Sequence, residues 1–370
     1  MCALGALLLA GCASQSVRAR PVGEAVREGI DHLLRTQNRD GSWGSAGDTT
    51  GFDVWAPGWA SHYAFRVATT ALCVMALRAT VRLEPDGPRS PQAARMDDAA
   101  ARGVEYLLKN TDIGRLDKMV MYNVWGHTYA VQALSAEYAK RRDERLKRAV
   151  ERHVKWLDNY ETMYGGWNYY DFTIGTQRPA SSGTSFGSGA GVVALAEAKR
   201  AGIAVPERML ERALRVCQWC RNPDGSYLYD YEFRFVPLHL ANRPKGSLGR
   251  AQAPNYALWT HGRLVSDDDV RAGLEAMFRE RRFLECGRKR QFPHEAYYFN
   301  SGYYYYYGHY YAARIVAELP PADRAKYAPQ VLAGVLPFQE TDGSWWDYRM
   351  YAYHKPYGTA LALMTIARLR

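Results

Sequence analysis

Two short stretches set a histidine among tyrosines and small residues: Gly126-His127-Thr128-Tyr129 and Gly308-His309-Tyr310-Tyr311. An imidazole titrates near neutrality and a neighbouring phenol can assist it, so the chemistry suggested is proton abstraction. Asn255-Tyr256 adds an amide and a third phenol. Arg66, Arg250 and Lys355 precede or open apolar helical stretches, where free helix amides already favour an anion. A further pattern is an aromatic run followed by an acid: Trp167-Asn168-Tyr169-Tyr170-Asp171, Tyr227-Leu228-Tyr229-Asp230 and Trp345-Trp346-Asp347. These patterns nominate His309, Tyr310, His127 and Asn255 as catalytic residues. They nominate Tyr129, Arg66, Arg250, Lys355, Asp171, Asp230 and Asp347 as ligand-binding residues on one rim.

Other reactive groups carry less. Cys217 and Cys220 form a lone CxxC that needs two further ligands for zinc. With Cys286 and His294 downstream, a zinc site, a Cys220 to Cys286 disulfide and unpaired thiols all remain open readings. Asp267-Asp268-Asp269 follows Ser266 and reads as a helix cap. Neither a cofactor nor a metal is expected.

Groups on one rim need elements that bring them there, and the chain supplies these by repetition. A turn-like glycine recurs at Gly41, Gly114, Gly166, Gly225, Gly287 and Gly343, about 60 residues apart, which fits a helical hairpin with a long internal loop. A charged amphipathic helix comes first in each unit, over 26–36, 99–109, 146–157, 206–219, 270–283 and 329–338. A nearly uncharged helix follows, over 63–80, 124–138, 185–198, 251–265, 303–317 and 357–369. Solvated helices alternating with buried ones describe two concentric rings. The fold class expected is all-α: a single (α/α)6 toroid of six hairpins spanning residues 23–370.

Composition narrows the function. The 370 residues are 47% apolar and 23% charged, an ordinary globular balance, and no run reaches the length of a membrane span. A net charge of +10 favours acidic partners in general, and nucleic acid is not expected. Twenty-seven tyrosines, 10 tryptophans and 11 phenylalanines exceed what the core needs, so some rings face a ligand. Residues 3–10 are apolar and end in Leu9-Ala10-Gly11-Cys12, which resembles a bacterial lipoprotein signal with its lipobox, although Met1 to Leu4 carries no Lys or Arg. The resemblance assigns 1–12 as signal, Cys12 as the lipidated residue and 13–22 as a tether. With Ala13 after the cysteine, it implies the cell envelope, at the outer membrane facing the periplasm, with the lipid as sole membrane contact.

Gln37-Asn38-Arg39-Asp40-Gly41-Ser42-Trp43-Gly44 and Gln339-Glu340-Thr341-Asp342-Gly343-Ser344-Trp345 resemble the QW repeat of the terpene cyclase and protein prenyltransferase superfamily. Cys220 to Tyr227 and Tyr164 to Trp167 are degenerate copies. The resemblance implies the toroid and an isoprenoid-like ligand. It does not extend to the chemistry: the Asp-rich acid motif of the cyclases is missing, and so is the Asp-x-Cys that would join His354 in a transferase zinc set. The function expected is therefore an exported lipoprotein binding an isoprenoid-like or anionic ligand in an aromatic central cavity without a complete catalytic set. The alternative is a polysaccharide lyase acting on an acidic, uronate-bearing glycan through Tyr, His and Arg at the cavity mouth.

Overall fold

The computed structural model describes residues 20–47, 59–84, 87, 89–114, 123–169, 179 and 182–370. Cys12 and Asp171 lie outside the described residues. Every long element is a helix, as the repeat requires. The outer ring is α1 (Val22–Thr36), α3 (Pro91–Lys109), α5 (Glu144–Asn159), α7 (Glu207–Cys220), α9 (Asp267–Arg279) with the short α10 (Arg281–Glu285), and α12 (Pro321–Ala333). The inner ring is α2 (Trp59–Thr80), α4 (Asn123–Arg141), α6 (Ser185–Arg200), α8 (Pro244–Thr260), α11 (Tyr305–Glu318) and α13 (His354–Leu369). Each inner helix packs on the next, and α13 packs on α2, so the ring closes.

Outer helices form because their apolar residues fall on one face. In α5, Leu146, Ala149, Val150, His153, Val154 and Leu157 are buried while the charges between them face water. Ser266 and Asp269 make a reciprocal capping box at the start of α9, which accounts for the Asp267 to Asp269 run. Inner helices are walled on both sides. Their axial stripe is legible only by spacing: Trp125, Tyr129, Gln132 and Ala136 in α4, and Tyr357, Leu361, Met364 and Arg368 in α13, all line cavities on the axis.

The Gln-to-Trp turns lock the hairpins together. Gln37 Nε2 donates to the carbonyl of Ala99 in α3 at 2.8 Å, and Gln339 Nε2 donates to the carbonyl of Ala25 in α1 at 2.8 Å, so each turn grips the next outer helix. The indoles of Trp43 and Trp345 donate to the carbonyls of Leu33 and Val335 at 2.8 and 2.9 Å, satisfying acceptors that their own outer segments leave free. Gly41 and Gly343 hold φ of +87° and +81°, and a Cβ there would sit 2.5 Å from the Arg102 carbonyl oxygen and 2.4 Å from that of Glu28.

Candidate functional site

The described residues leave a cavity at each end of the axis. At the amino ends of the inner helices lies a space of about 440 Å³ faced by Phe65, Trp125, Tyr129, Tyr169, Phe186, Tyr229, Phe233, Tyr303, Tyr304, Tyr307, Tyr353 and Tyr357, with His239 and His294. Trp125 stacks with Tyr129 and Phe186 at centroid distances of 5.8 and 6.2 Å, and Tyr307 meets it edge-on at 6.0 Å. Tyr307 on this cavity, Tyr311, and Tyr310 on the opposite one follow one another on α11 at 4.9 and 5.1 Å, all nearly or fully buried, and the Tyr307 hydroxyl donates to the Phe186 carbonyl of α6 at 2.8 Å, so that these rings form a floor between the two cavities.

Polar groups meet this wall from several sides. The Tyr303 hydroxyl donates to His294 Nε2 at 3.0 Å while His294 Nδ1 donates to the Phe299 carbonyl at 2.8 Å, which fixes a neutral tautomer; burial holds its pKa below the usual range. His294, Tyr298 and Phe299 all have φ near +60°, so this loop carries backbone strain beside the cavity. Asp347 lies fully buried behind Tyr357. Its carboxylate accepts the Tyr306 amide at 3.1 Å and the Tyr357 hydroxyl, and burial raises its pKa to about 6. Asp230, next to Tyr229, accepts the Glu232 amide at 2.9 Å and is likewise raised by burial to about 6.

The nominated residues do not converge as expected. His127 points away from the axis, bonded to His153 at 2.8 Å and stacked on Trp156 and Tyr160 of the outer layer. His309 packs on Tyr305 and gives its Nδ1 proton to the Tyr305 carbonyl at 2.7 Å, on the face towards α12. Both are buried between the rings, which corrects their assignment to the mouth: each lies about half a helical turn from the axial stripe. Asn255 also faces outwards, accepting the Tyr227 hydroxyl at 2.8 Å. Tyr310 lines the other cavity and only Tyr129 faces the aromatic one.

The basic mouth is corrected too. Lys355 is paired with Asp342 at 2.6 Å in the outer turn, and Arg66 stands 4.0 Å from Asp40. Two of the three nominated cations still meet the cavity wall: Arg250, with its guanidinium 5.1 Å from the Tyr229 ring centroid and 5.8 Å from that of Tyr304, and Arg66, which interacts with the Tyr353 hydroxyl. Spacing alone could have extended the one nomination that holds, because Trp125 stands four residues before Tyr129 and shares its face. Phe233, His239, His294 and Phe299 come from loops, where no period marks a facing direction. Cys73, Cys217, Cys220 and Cys286 are free thiols, and no group of three metal-type ligands occurs among the described residues.

A closed α/α toroid with an aromatic axial cavity is thus the class of protein that fold and site define. No protein-family model and no curated protein matches the sequence. Among solved structures it is similar to the GH76A α-1,6-mannanase of Salegentibacter sp. HEL1_6, at 11% identity and TM-score 0.59, covering 94% of this chain and 98% of that one. An inactive variant of that enzyme, with two consecutive aspartates replaced by alanine, is in complex with α-1,6-mannotetrose. A GH76 mannosidase from Bacteroides thetaiotaomicron matches at 8% identity and TM-score 0.54 over 94% of this chain and 97% of that one. A variant of the type II terpene cyclase MstE from Scytonema matches at 14% identity and TM-score 0.50 over 94% and 96%. The terpene cyclase-like toroid is therefore shared with glycoside hydrolases. The expectation of a non-catalytic binder of an isoprenoid-like or anionic ligand is overturned by those neighbours, and the uronate lyase loses the two histidines it was built on, because His127 and His309 are buried between the rings.

Proposed function

We propose that the aromatic mouth binds an oligosaccharide and that the protein is a glycoside hydrolase. The observation that carries this reading is the cavity wall, in which tyrosine rings supply both the surface and the polar groups. A pyranose offers C–H bonds to a ring face and hydroxyls at its edge, and a phenol meets both. The mannotetrose held by the mannanase of the same fold supports a neutral sugar chain as ligand.

Hydrolysis needs one carboxyl that is protonated near neutral pH and a second that acts as base or nucleophile. Asp347, raised to about 6, fits the acid. Once protonated it donates to Tyr357 Oη, and the Tyr357 hydroxyl is free to donate to the glycosidic oxygen in the cavity. Asp230 is the second carboxyl beside the wall. The consecutive aspartates of this chain, Asp97-Asp98 and Asp267 to Asp269, stand on outer helices, so the assignment rests on Asp230 and Asp347. Release of reducing ends from α-mannan oligosaccharides and a panel of other neutral glycans tests the reading. Turnover lost in Asp347→Asn supports it; no product and no calorimetric binding with any neutral glycan ends it. A lipid anchor on Cys12 at the cell envelope belongs to the same proposal, and palmitate labelling that survives Cys12→Ser would remove that part.

A further inference from the structure

The opposite end of the axis differs in chemistry. Beyond the tyrosine floor lies a cavity of about 670 Å³, built from the carboxyl halves of α2, α4, α6, α11 and α13. Its inner wall carries Gln132 and Ser135, each 1% exposed. Both amide atoms of Gln132 and the hydroxyl of Ser135 lack any hydrogen-bond partner, although two turns of α4 could have carried alanine or leucine there. Buried polar atoms are otherwise almost always satisfied, so three together on one cavity wall point to a ligand that satisfies them.

Charge at the rim says what kind. Arg78, Arg82, Lys140, Arg200, Arg324 and Arg368 line the space against two acids, Glu137 and Glu197. Glu137 is taken by Arg78 and Arg141, and Glu197 by Arg314. Arg82 and Arg324 donate only to the carbonyls of Ala367 and Arg368, while Lys140, Arg200 and Arg368 have no acid partner among the described residues. Five cations thus lack a carboxylate partner among the described residues around an amide and a hydroxyl, two of them bonded instead to free carbonyls at the end of α13. A guanidinium cluster recognises a phosphate through forked hydrogen bonds, and Gln132 and Ser135 suit the hydroxyls of the body that bears it.

We propose that this end of the toroid is a second binding site, for a phosphorylated sugar. It is separated from the aromatic mouth by Tyr307, Tyr310 and Tyr311 and does not depend on what that mouth does. Calorimetry with mannose 6-phosphate, inorganic phosphate and mannose tests it on three proteins: the full chain, Gln132→Leu and the double variant Arg200→Ala/Arg324→Ala. The sugar phosphate should bind the full chain at least about tenfold more tightly than phosphate, and mannose should not bind. Gln132→Leu should weaken the sugar phosphate about tenfold and leave phosphate unchanged, whereas the double variant should lose both. Gln132→Leu removes only unpartnered atoms, so its Tm should be at or above that of the parent, which separates lost binding from lost folding. Absence of binding to the full chain, binding untouched by either variant, or mannose binding as tightly as its phosphate would each overturn the proposal.

Discussion

Burial decides what Asp347 can do. A carboxyl raised to about 6 is partly protonated at neutral pH, and its contact with Tyr357 is the route by which the proposed mechanism delivers that proton to the cavity. Asp347→Asn keeps an acceptor for the Tyr306 amide, so turnover should fall by about 10² or more in kcat with little change in Tm or in calorimetric affinity for the glycan. His309 shows the same force acting on a base. Its folded pKa is lowered to about 4 from 6.5, so it contributes full stability above pH 6.5 and loses it progressively as pH falls towards 4. That loss is on the order of 3 kcal/mol, and urea titrations between pH 7 and 4 should show a shallower decline in His309→Gln. Asp230 and Asp347 work with the opposite sign, losing stability as pH rises through 6, but lowered pKa values at His32, His127, His153, His294 and His309 outnumber them. Histidine type and helix position were readable in the sequence. Facing was legible only as a spacing, because α4 and α11 are walled by protein on both sides and hydropathy does not say which of their stripes meets the axis.

The hairpin carries its own instructions, and here pattern sufficed. Alternating charged and uncharged helices, with a full Gln-to-Trp turn in the first and last units, suffice to order all twelve long helices. The third and fourth outer helices match the expected bounds to within two residues, whereas the first and fifth shift by three or four and the second and sixth start eight residues early, each of the last two at a proline in the first turn, Pro91 and Pro321. Turns are the sensitive points. Gly343→Ala combines a positive φ with a clash against backbone in α1, and urea denaturation should show a loss of about 2 kcal/mol or more. Trp345→Phe keeps the packing and removes only the bond to Val335, so about 1 kcal/mol is expected. Equal losses in the two variants would mean that the turn is not gripped as described.

Six hairpins closed on themselves give each unit two neighbours, where an open array leaves its terminal units with one. Unfolding in urea should therefore be a single transition seen alike by circular dichroism and tryptophan fluorescence. Removing 321–370 uncovers α2 and α11 together, and such a chain should aggregate or lose that cooperative transition. The parts of the whole that the sequence could not announce are the loops at the aromatic mouth and the separation of the axis into two ends. Both arise from side chains far apart in sequence meeting across the ring, as Tyr307 of α11 meets Trp125 of α4. The tyrosine floor also dictates traffic. Under the proposed function, the described residues leave the aromatic cavity floored at one end, so a sugar polymer would enter by its tip and the part cut off would leave past the incoming chain. Digestion of a long glycan should accordingly liberate small sugars from the first minutes while the solution stays as viscous as before, and the liberated sugar should slow its own production by waiting in the doorway.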